Sequence, residues 1–389
     1  MKTNTVGEFV KKNMMVIALV VVVIFFSIGT GGKILYAQNI NNLISQNGYV
    51  FVLATGMLCC ILTGGNIDLA VGSVVCFTGA IGGVMMDKHL PFGLAVVVML
   101  VVGLLIGMFQ GFWIAWVSVP PFIATLAGMY AFRGLSNVVL QGYTVGINDE
   151  AFLRLFGGGA DCYIPDLLGG GGLNRLCLVV GIIGVAVYAL LTIRGEAVRR
   201  KRNISSVNPA VVYAKLIVIS ALLLWICYKL ANYKGIPTVL IWVTLVLLIY
   251  GYITRKTAIG RYFYAVGGNE KATRLSGVNT KLVYFIAYAN MGFLAGLAGI
   301  LTVARATNAQ PTFGQGYEMD AIAACFIGGA SAYGGVGKIT GVIIGATLMG
   351  VINQGMSIMG ISANYQRAVK GIVLLVAVLV DVLSKREDA

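Results

Sequence analysis

Long apolar blocks alternate with short polar segments along nearly the whole chain. The blocks are about 17–25 residues long, the length that a helix needs to cross a bilayer. Transmembrane β-strands would instead alternate over segments of about ten residues. The pattern predicts an all-α, polytopic membrane helical bundle of about 10–12 transmembrane segments. The predicted spans are 14–28, 48–65, 70–86, 92–116, 122–140, 174–193, 212–230, 237–253, 284–304, 319–334, 338–356 and 366–383.

Charges in the polar segments predict how the bundle is oriented. The loops 194–211 and 254–283 are rich in Lys and Arg, whereas the long loop 141–173 is acidic. Cytoplasmic loops carry the excess of Lys and Arg. Basic residues also flank the first and last spans, at Lys11, Lys12, Lys385 and Arg386. We therefore expect a single transmembrane domain over 1–389 with both termini cytoplasmic and 141–173 periplasmic.

The loop 254–283 contains a short helix with clear ends. Asn269 is a good N-cap, Glu270 suits the positive helix start, and Gly277 can adopt the left-handed conformation that stops a helix. The predicted helix, Glu270–Ser276, displays Lys271 and Arg274. Two turns are not stable alone in water, so the chain's own spans or a partner must hold this helix. We interpret it as a docking segment.

Composition excludes several other classes of protein. The 389 residues are 58% hydrophobic and only 11% charged, against about 25% charged in soluble chains. The net charge of +14 is confined to short loops, which argues against nucleic acid. The seven cysteines show no CxxC spacing and are interpreted as small hydrophobes, and a single histidine, His89, excludes a His-rich metal site. No GxxxxGK[ST] motif is present, so any ATP chemistry belongs to another chain.

Glycine spacing predicts close helix packing. Gly103, Gly107 and Gly111 recur every four residues, and so do Gly337, Gly341 and Gly345; Gly292 and Gly296 form a further pair. Small residues at this spacing let helix backbones approach in lipid. We favour packing within one subunit over a subunit interface.

Two segments also resemble each other. Asp68–Val84 and Asp320–Val336 match with gaps, and a glycine-spaced helix follows each of them. Such internal repeats are common in transporters. The glycine-rich pair 319–334 and 338–356 can alternatively include a re-entrant half-helix.

Several motifs together resemble a known family, the permease subunits of ribose/xylose/galactose-type sugar ABC importers. The similar segments are spread over about residues 48–382: Thr63–Ser73, Pro120–Met129, Phe132–Gly134, Ala265–Asn269, Ala272–Gly277 and Met319–Gly329. The chain length and the additional hydrophobic pair around 194–211 make the chain most similar to xylose-type or multiple-monosaccharide permeases. One departure is Asn66, where the family pattern has an acidic residue.

The resemblance implies a permease that moves a monosaccharide, such as xylose or a related pentose or hexose, through the bacterial inner membrane as a multi-pass protein. It implies a homodimer with a second copy of the chain, surrounded by membrane lipid. It also implies a periplasmic sugar-binding protein and a cytoplasmic ATPase with two nucleotide-binding domains. ATP and Mg would be bound by that ATPase, so this chain is expected to be neither an enzyme nor a cofactor carrier. The expected residues of the coupling loop are Gly267, Gly268, Asn269, Glu270, Lys271, Ala272, Arg274, Ser276 and Gly277.

Polar residues in or beside spans are costly and are therefore candidates for function. The candidates for the translocation pathway or gating are Asn66, Asp68, Arg133, Arg305 and Asp320. Asp68 serves either the pathway or the start of the span at Ala70. Arg133 has no carboxylate nearby in sequence, so Asp68 or Asp320 is its expected partner.

Two other classes of protein remain as alternatives. An ion-coupled secondary transporter of a small polar solute would carry carboxylates deep in several spans, whereas Asp68 and Asp320 lie near span ends. A membrane enzyme would need a cluster of catalytic groups, and a single histidine without a paired His, Cys or Glu arrangement argues against one.

Overall fold

The structure, a computed structural model, describes residues 5–169, 172–201 and 209–386. Lys2 and much of the basic loop 194–211 lie outside these residues. The helices are α1 Thr5–Gly29, α2 Ala37–Gln46, α3 Gly48–Leu62, α4 Val71–Asp87, α5 Phe92–Ala115, α6 Pro121–Leu140, α7 Glu150–Phe156, α8 Arg175–Lys201, α9 Pro209–Ala231, α10 Val239–Lys256, α11 Ala258–Gly268, α12 Glu270–Leu275, α13 Thr280–Ala306, α14 Tyr317–Ile327, α15 Ile339–Ile358 and α16 Ala363–Arg386.

Seven of the described helices are long and apolar enough to cross a membrane: α5, α6, α8, α9, α10, α13 and α15. The pair α2 and α3 is bent by 41° and makes an eighth if it counts as one span. Asn13–Gly29 and α4 are apolar but shorter. A polytopic helical membrane protein is therefore confirmed, while the side on which the termini lie stays a prediction.

The predicted span 319–334 is wrong in extent, because α14 ends at Ile327. Its 11 residues would reach about 16 Å, well short of the roughly 30 Å hydrocarbon core. Gly329, Gly334 and Gly335 all have positive φ, a backbone conformation that ends a helix and favours glycine. The chain between α14 and α15 is therefore an irregular segment.

The helix pattern does not support the repeat between 68–84 and 320–336. The first segment stays helical in α4 as far as Asp87, whereas the second leaves the helix at Gly328. Three helices were not predicted from apolar periodicity, namely α2, α7 and α11. All three are short, and α2 and α11 carry several polar side chains.

The chain forms two compact units. The smaller unit comprises Leu35–Asn42 and Tyr163–Pro237, and in it α8 packs against α9. The Cys177 thiol there donates to the Cys227 carbonyl at 3.3 Å. This helix pair is the additional hydrophobic pair recognised in the sequence.

The larger unit is built around α13, which packs against α3, α4 and α5. Within the same unit α15 packs against α1 and α14, and α14 also packs against α16. Most of α13 between Ala287 and Ala304 is buried, including the fully buried Tyr288. This helix is the centre of the larger unit.

Glycines bring α5 and α13 into backbone contact. A Cβ added at Gly103 would lie 2.5 Å from the Gly292 carbonyl oxygen, and one at Gly107 would lie 2.4 Å from the Tyr288 carbonyl oxygen. The predicted stripes on these two helices therefore face each other within one chain. Gly341 in α15 makes a similar contact with the end of α14, because a Cβ there would lie 1.9 Å from the Gly328 carbonyl oxygen. Packing within the subunit, the favoured interpretation, is confirmed for these positions.

Two loops predicted to lie outside the membrane are joined by a short ribbon. Strand β1, Val145–Gly146, pairs antiparallel with β2, Asn308–Ala309. This pairing places the loops after α6 and after α13 at the same end of the larger unit.

In the smaller unit, Asp166 stabilises the start of α8. Its carboxylate accepts from the amides of Leu168, Arg175 and Leu176 at 3.0–3.2 Å. Slight desolvation opposes the effect, but these amide donors lower the pKa of Asp166 below its ordinary value.

We predict that Gly107→Ala lowers the thermal unfolding midpoint of the purified protein in detergent. The new methyl group would meet backbone atoms of α13, and overpacking of this kind costs about 1–3 kcal/mol. The matched control is Gly251→Ala in α10, where nothing lies within 4 Å of the added Cβ. That control should leave the midpoint unchanged or raise it, because Ala favours a helix over Gly by about 0.5–1 kcal/mol. Equal midpoints for the two variants would contradict the close contact.

Candidate functional site

The predicted coupling loop 254–283 folds as two short helices that meet at Asn269. The Asn269 side chain accepts from the Ala272 amide at 2.9 Å, so it caps α12 as predicted. At the other end the Gly277 amide donates to the Arg274 carbonyl, and Gly277 has φ +85°. The helix ends at Leu275, one residue before the predicted end.

The surface of α12 is almost entirely exposed. Thr273 is buried, whereas Glu270, Lys271, Ala272 and Arg274 are exposed. The following Leu275 is 89% exposed. Leu275 therefore lies on the outer face of the helix, where a partner chain can reach it, and sequence reasoning missed it. The available signal was an apolar residue next to Arg274 in a segment that the chain itself does not bury.

The end of α11 packs closely against other parts of the larger unit through backbone contacts. A Cβ at Gly267 would lie 1.9 Å from the Leu62 carbonyl oxygen and 2.5 Å from the Gly335 amide nitrogen. The Gly335 amide in turn donates to the same Leu62 carbonyl at 3.0 Å. Gly268, by contrast, has nothing within 4 Å of an added Cβ. Gly267 therefore holds the end of α11 against the membrane helices. It does not contribute to the exposed surface of the coupling loop.

A second connection runs from Glu270 to α13. The two carboxylate oxygens of Glu270 accept from the hydroxyl groups of Thr280 and Tyr284, each at 3.1 Å. Both donors lie on the first two turns of α13, one turn apart. Glu270 thus joins the start of α12 to the central helix of the larger unit.

A cavity of about 430 Å³ lies beside this connection. Its lining includes Glu270, Arg274 and Tyr284, and also Asn66 from the segment after α3. The Asn66 amide donates to the Thr63 carbonyl at 3.3 Å. Among the pathway candidates, Asn66 is therefore the one that lies beside the coupling loop.

Asp68 is 2% exposed, and its carboxylate accepts from the Ala70 amide at 2.8 Å. This contact orders the turn before α4, but Asp68 does not cap the helix, because the N-cap is Ala70 and makes no side-chain cap bond. Its role in the pathway stays a prediction.

The expected pairing of Arg133 with Asp68 or Asp320 is wrong. The Arg133 guanidinium instead donates to the backbone carbonyls of Pro311 and Phe313. Helix α6 lies beside the loop before α14, so carbonyl groups are closer to the guanidinium than either carboxylate.

Asp320 is fully buried and paired with Lys370. The Lys370 ammonium lies 2.9 Å from the carboxylate, and the Tyr49 hydroxyl donates to Asp320 at 2.6 Å. The Tyr49 ring stacks on Tyr317 with 3.6 Å between centroids. Sequence reasoning missed Lys370 and Tyr49, because they lie 50 and 271 positions from Asp320 in the chain.

Arg305, in the last turn of α13, lines a smaller cavity of about 140 Å³ together with Tyr49 and Tyr317. Within the described residues its Nε atom has no hydrogen-bond partner and the guanidinium makes no ion pair. Arg305 and Asp320 therefore lie at one end of the unit, while Asn66 lies near the coupling loop.

The long apolar helices identify a multi-pass membrane protein. The buried polar groups near both ends and the exposed helix α12 are typical of a membrane transport protein. The chain belongs to the family described as branched-chain amino acid transport system / permease component, which it matches over residues 39–157 and 171–378. No solved structure matches the chain.

Several curated permeases are similar over nearly the full chain. The xylose transport system permease protein XylH of Escherichia coli (strain K12) is 36% identical over 379 residues, covering 96% of this chain and 92% of the relative. XylH of Haemophilus influenzae is also 36% identical, covering 96% of both chains. The ribose import permease protein RbsC of Haemophilus influenzae is 34% identical, covering 97% and 94%.

We predict that Lys370→Met destabilises the protein by about 3–5 kcal/mol, because it leaves the buried Asp320 carboxylate unpaired. Adding Asp320→Asn in the same chain should recover most of that loss. The measurement is the unfolding midpoint in detergent of the two single variants and the double variant. Arg367→Met, at an exposed position of the same helix, is the control and should change stability by no more than about 0.5 kcal/mol. Additive losses in the double variant would show that the two groups do not interact.

Proposed function

We propose that this chain is the permease subunit of an ATP-driven importer that moves a monosaccharide, xylose or a related pentose or hexose, into the cell. The observation that carries the proposal is the exposed helix α12, capped at both ends and joined to the core through Glu270 and Gly267. The names of the similar xylose and ribose permeases support a sugar as the substrate.

The proposed assembly has two copies of this chain in the bacterial inner membrane, with both termini in the cytoplasm. A periplasmic sugar-binding protein delivers the substrate. A cytoplasmic ATPase with two nucleotide-binding domains hydrolyses Mg-ATP, and α12 of each permease docks on one of those domains. The basic loops at 194–211 and 254–283 support this orientation through the positive-inside rule.

Coupling then follows from the two connections of the docking segment. When the ATPase domains move, α12 moves with them. The Glu270 carboxylate transmits this displacement to the start of α13 through Thr280 and Tyr284. Gly267 transmits it to the end of α3 and to the irregular segment before α15, because these backbones are in contact. The start of α13, the end of α3 and the segment before α15 would therefore shift together.

The ion-coupled secondary transporter is less well supported. A proton-coupled mechanism needs a carboxylate that gains and loses a proton during transport. The Asp320 carboxylate is instead held in fixed contacts with the Lys370 ammonium and the Tyr49 hydroxyl. An exposed docking helix would also have no role in a transporter that works without a partner chain.

The direct test is uptake of labelled pentoses and hexoses into proteoliposomes that contain the chain with its cognate ATPase and binding protein. We expect ATP-dependent accumulation of at least one sugar. Accumulation that follows a proton or sodium gradient without ATP would favour the secondary transporter.

We predict that Leu275→Ser reduces co-purification of the ATPase and lowers sugar uptake several-fold, with the unfolding midpoint unchanged. The reason is that the leucine is 89% exposed in this chain, so its apolar surface is available only to a partner. Gly277→Pro should also reduce co-purification and uptake, because proline cannot adopt φ +85° and lacks the amide that donates to the Arg274 carbonyl at the end of α12.

The matched control is Leu167→Ser, in the loop that is predicted to lie on the periplasmic side, where the leucine is 80% exposed. This variant should co-purify the ATPase at the normal level. Normal co-purification by Leu275→Ser would remove α12 as the docking surface.

A further inference from the structure

The cavity beside Arg305 has the lining of a small carbohydrate site. It lies where the start of α3, the end of α13 and the start of α14 meet. Its polar groups come mainly from Gln46, Tyr49, Thr302, Arg305 and Tyr317, and most of the rest of its surface is apolar, with Val239, Leu301, Ala306 and the Phe313 ring. Amide, hydroxyl and guanidinium groups on several sides can bond the hydroxyl groups of a sugar, while aromatic rings pack against its C–H faces.

The size of the cavity fits a monosaccharide. Its volume is about 140 Å³, the space of about five waters at roughly 30 Å³ each. A pentose is small enough for a space of this order, because its bonded carbons and oxygens pack more tightly than separate waters.

The Arg305 guanidinium is the group in this cavity that most needs a partner. Its Nε atom is buried and has no hydrogen bond among the described residues. Intramembrane charges without a partner are costly and mark pathways or ligand sites. Sugar hydroxyls can accept hydrogen bonds from the guanidinium without requiring a counter-charge.

The pair Asp320–Lys370 lies outside this cavity and acts on its lining through Tyr49. Because the Tyr49 hydroxyl donates to Asp320, the Tyr49 ring is held against Tyr317 with an interplanar angle of 12°. The two rings form a rigid aromatic wall whose position depends on the buried ion pair. Asp320 and Lys370 are therefore positioning residues.

From these contacts we propose that the cavity formed by Gln46, Tyr49, Thr302, Arg305 and Tyr317 is a low-affinity binding site for a monosaccharide, on the side at which the sugar enters. The proposal rests on the proposed function as a sugar permease. Arg305 and Gln46 bond the sugar hydroxyls, and the stacked tyrosines bound one face of the ring.

The test is protection of an introduced cysteine in the permease–ATPase complex, reconstituted in proteoliposomes without ATP or binding protein. Gln46→Cys is labelled with a membrane-impermeant thiol reagent, with and without millimolar D-xylose, D-ribose or D-galactose. We expect at least one sugar to slow labelling several-fold and leucine, an amino acid of similar size, to leave it unchanged. Tyr143→Cys, on the exposed loop at the same end, is the control that no sugar should protect. The unmodified chain gives the background, because six of its seven cysteines are buried.

Arg305 is tested in the same assay. Arg305→Met in the Gln46→Cys chain should abolish protection, and Arg305→Lys should restore part of it, while ATPase co-purification stays normal. Thr302→Cys provides a second labelling position if Gln46→Cys impairs folding.

Three outcomes would overturn the site. They are labelling that no sugar changes, protection by leucine alone, and cysteines at both positions that react with no reagent. Each of these results, obtained with a complex that still imports sugar, would leave the proposed function standing. Failure of the unmodified complex to import any sugar would instead remove the proposed function itself.

Discussion

The fold depends on a backbone contact at which three separate parts of the chain touch through glycine. The end of α3, the end of α11 and the segment before α15 meet at Leu62, Gly267 and Gly335, where one carbonyl oxygen receives an amide and an added methyl group would clash. This contact leaves no space for an intervening side chain. A displacement of α11 is therefore passed on directly.

The same contact also helps to hold the short helix α12. Two turns of helix are unstable alone, yet α12 is held by a capping asparagine, by the Glu270 contacts and by the tightly packed end of α11. The outer surface of α12 makes none of these contacts. Leu275, which is 89% exposed on that surface, therefore adds little to stability within the chain.

The sequence was most informative where one short-range rule decided the structure. Apolar runs predicted most long helices, since crossing a bilayer fixes their length, and the signals at Asn269 and Gly277 predicted both ends of α12 to within one residue. Partners distant in the chain could not be predicted. Arg133 bonds backbone carbonyls and Asp320 bonds Lys370, because side-chain pairing depends on which helices are neighbours. Neither local composition nor periodicity contains that information.

The buried polar groups divide into those that satisfy each other and those that do not. The Asp320 carboxylate has an ammonium group and a phenol hydroxyl, so its burial is offset within the chain. Arg305 lines the cavity beside the same tyrosines, but its Nε atom has no hydrogen bond and its guanidinium no ion pair among the described residues. A permanent counter-charge would hold the guanidinium in a fixed ion pair and block the cavity. An unpaired Arg305 is therefore what a site needs if a neutral polyhydroxyl ligand must both enter and leave.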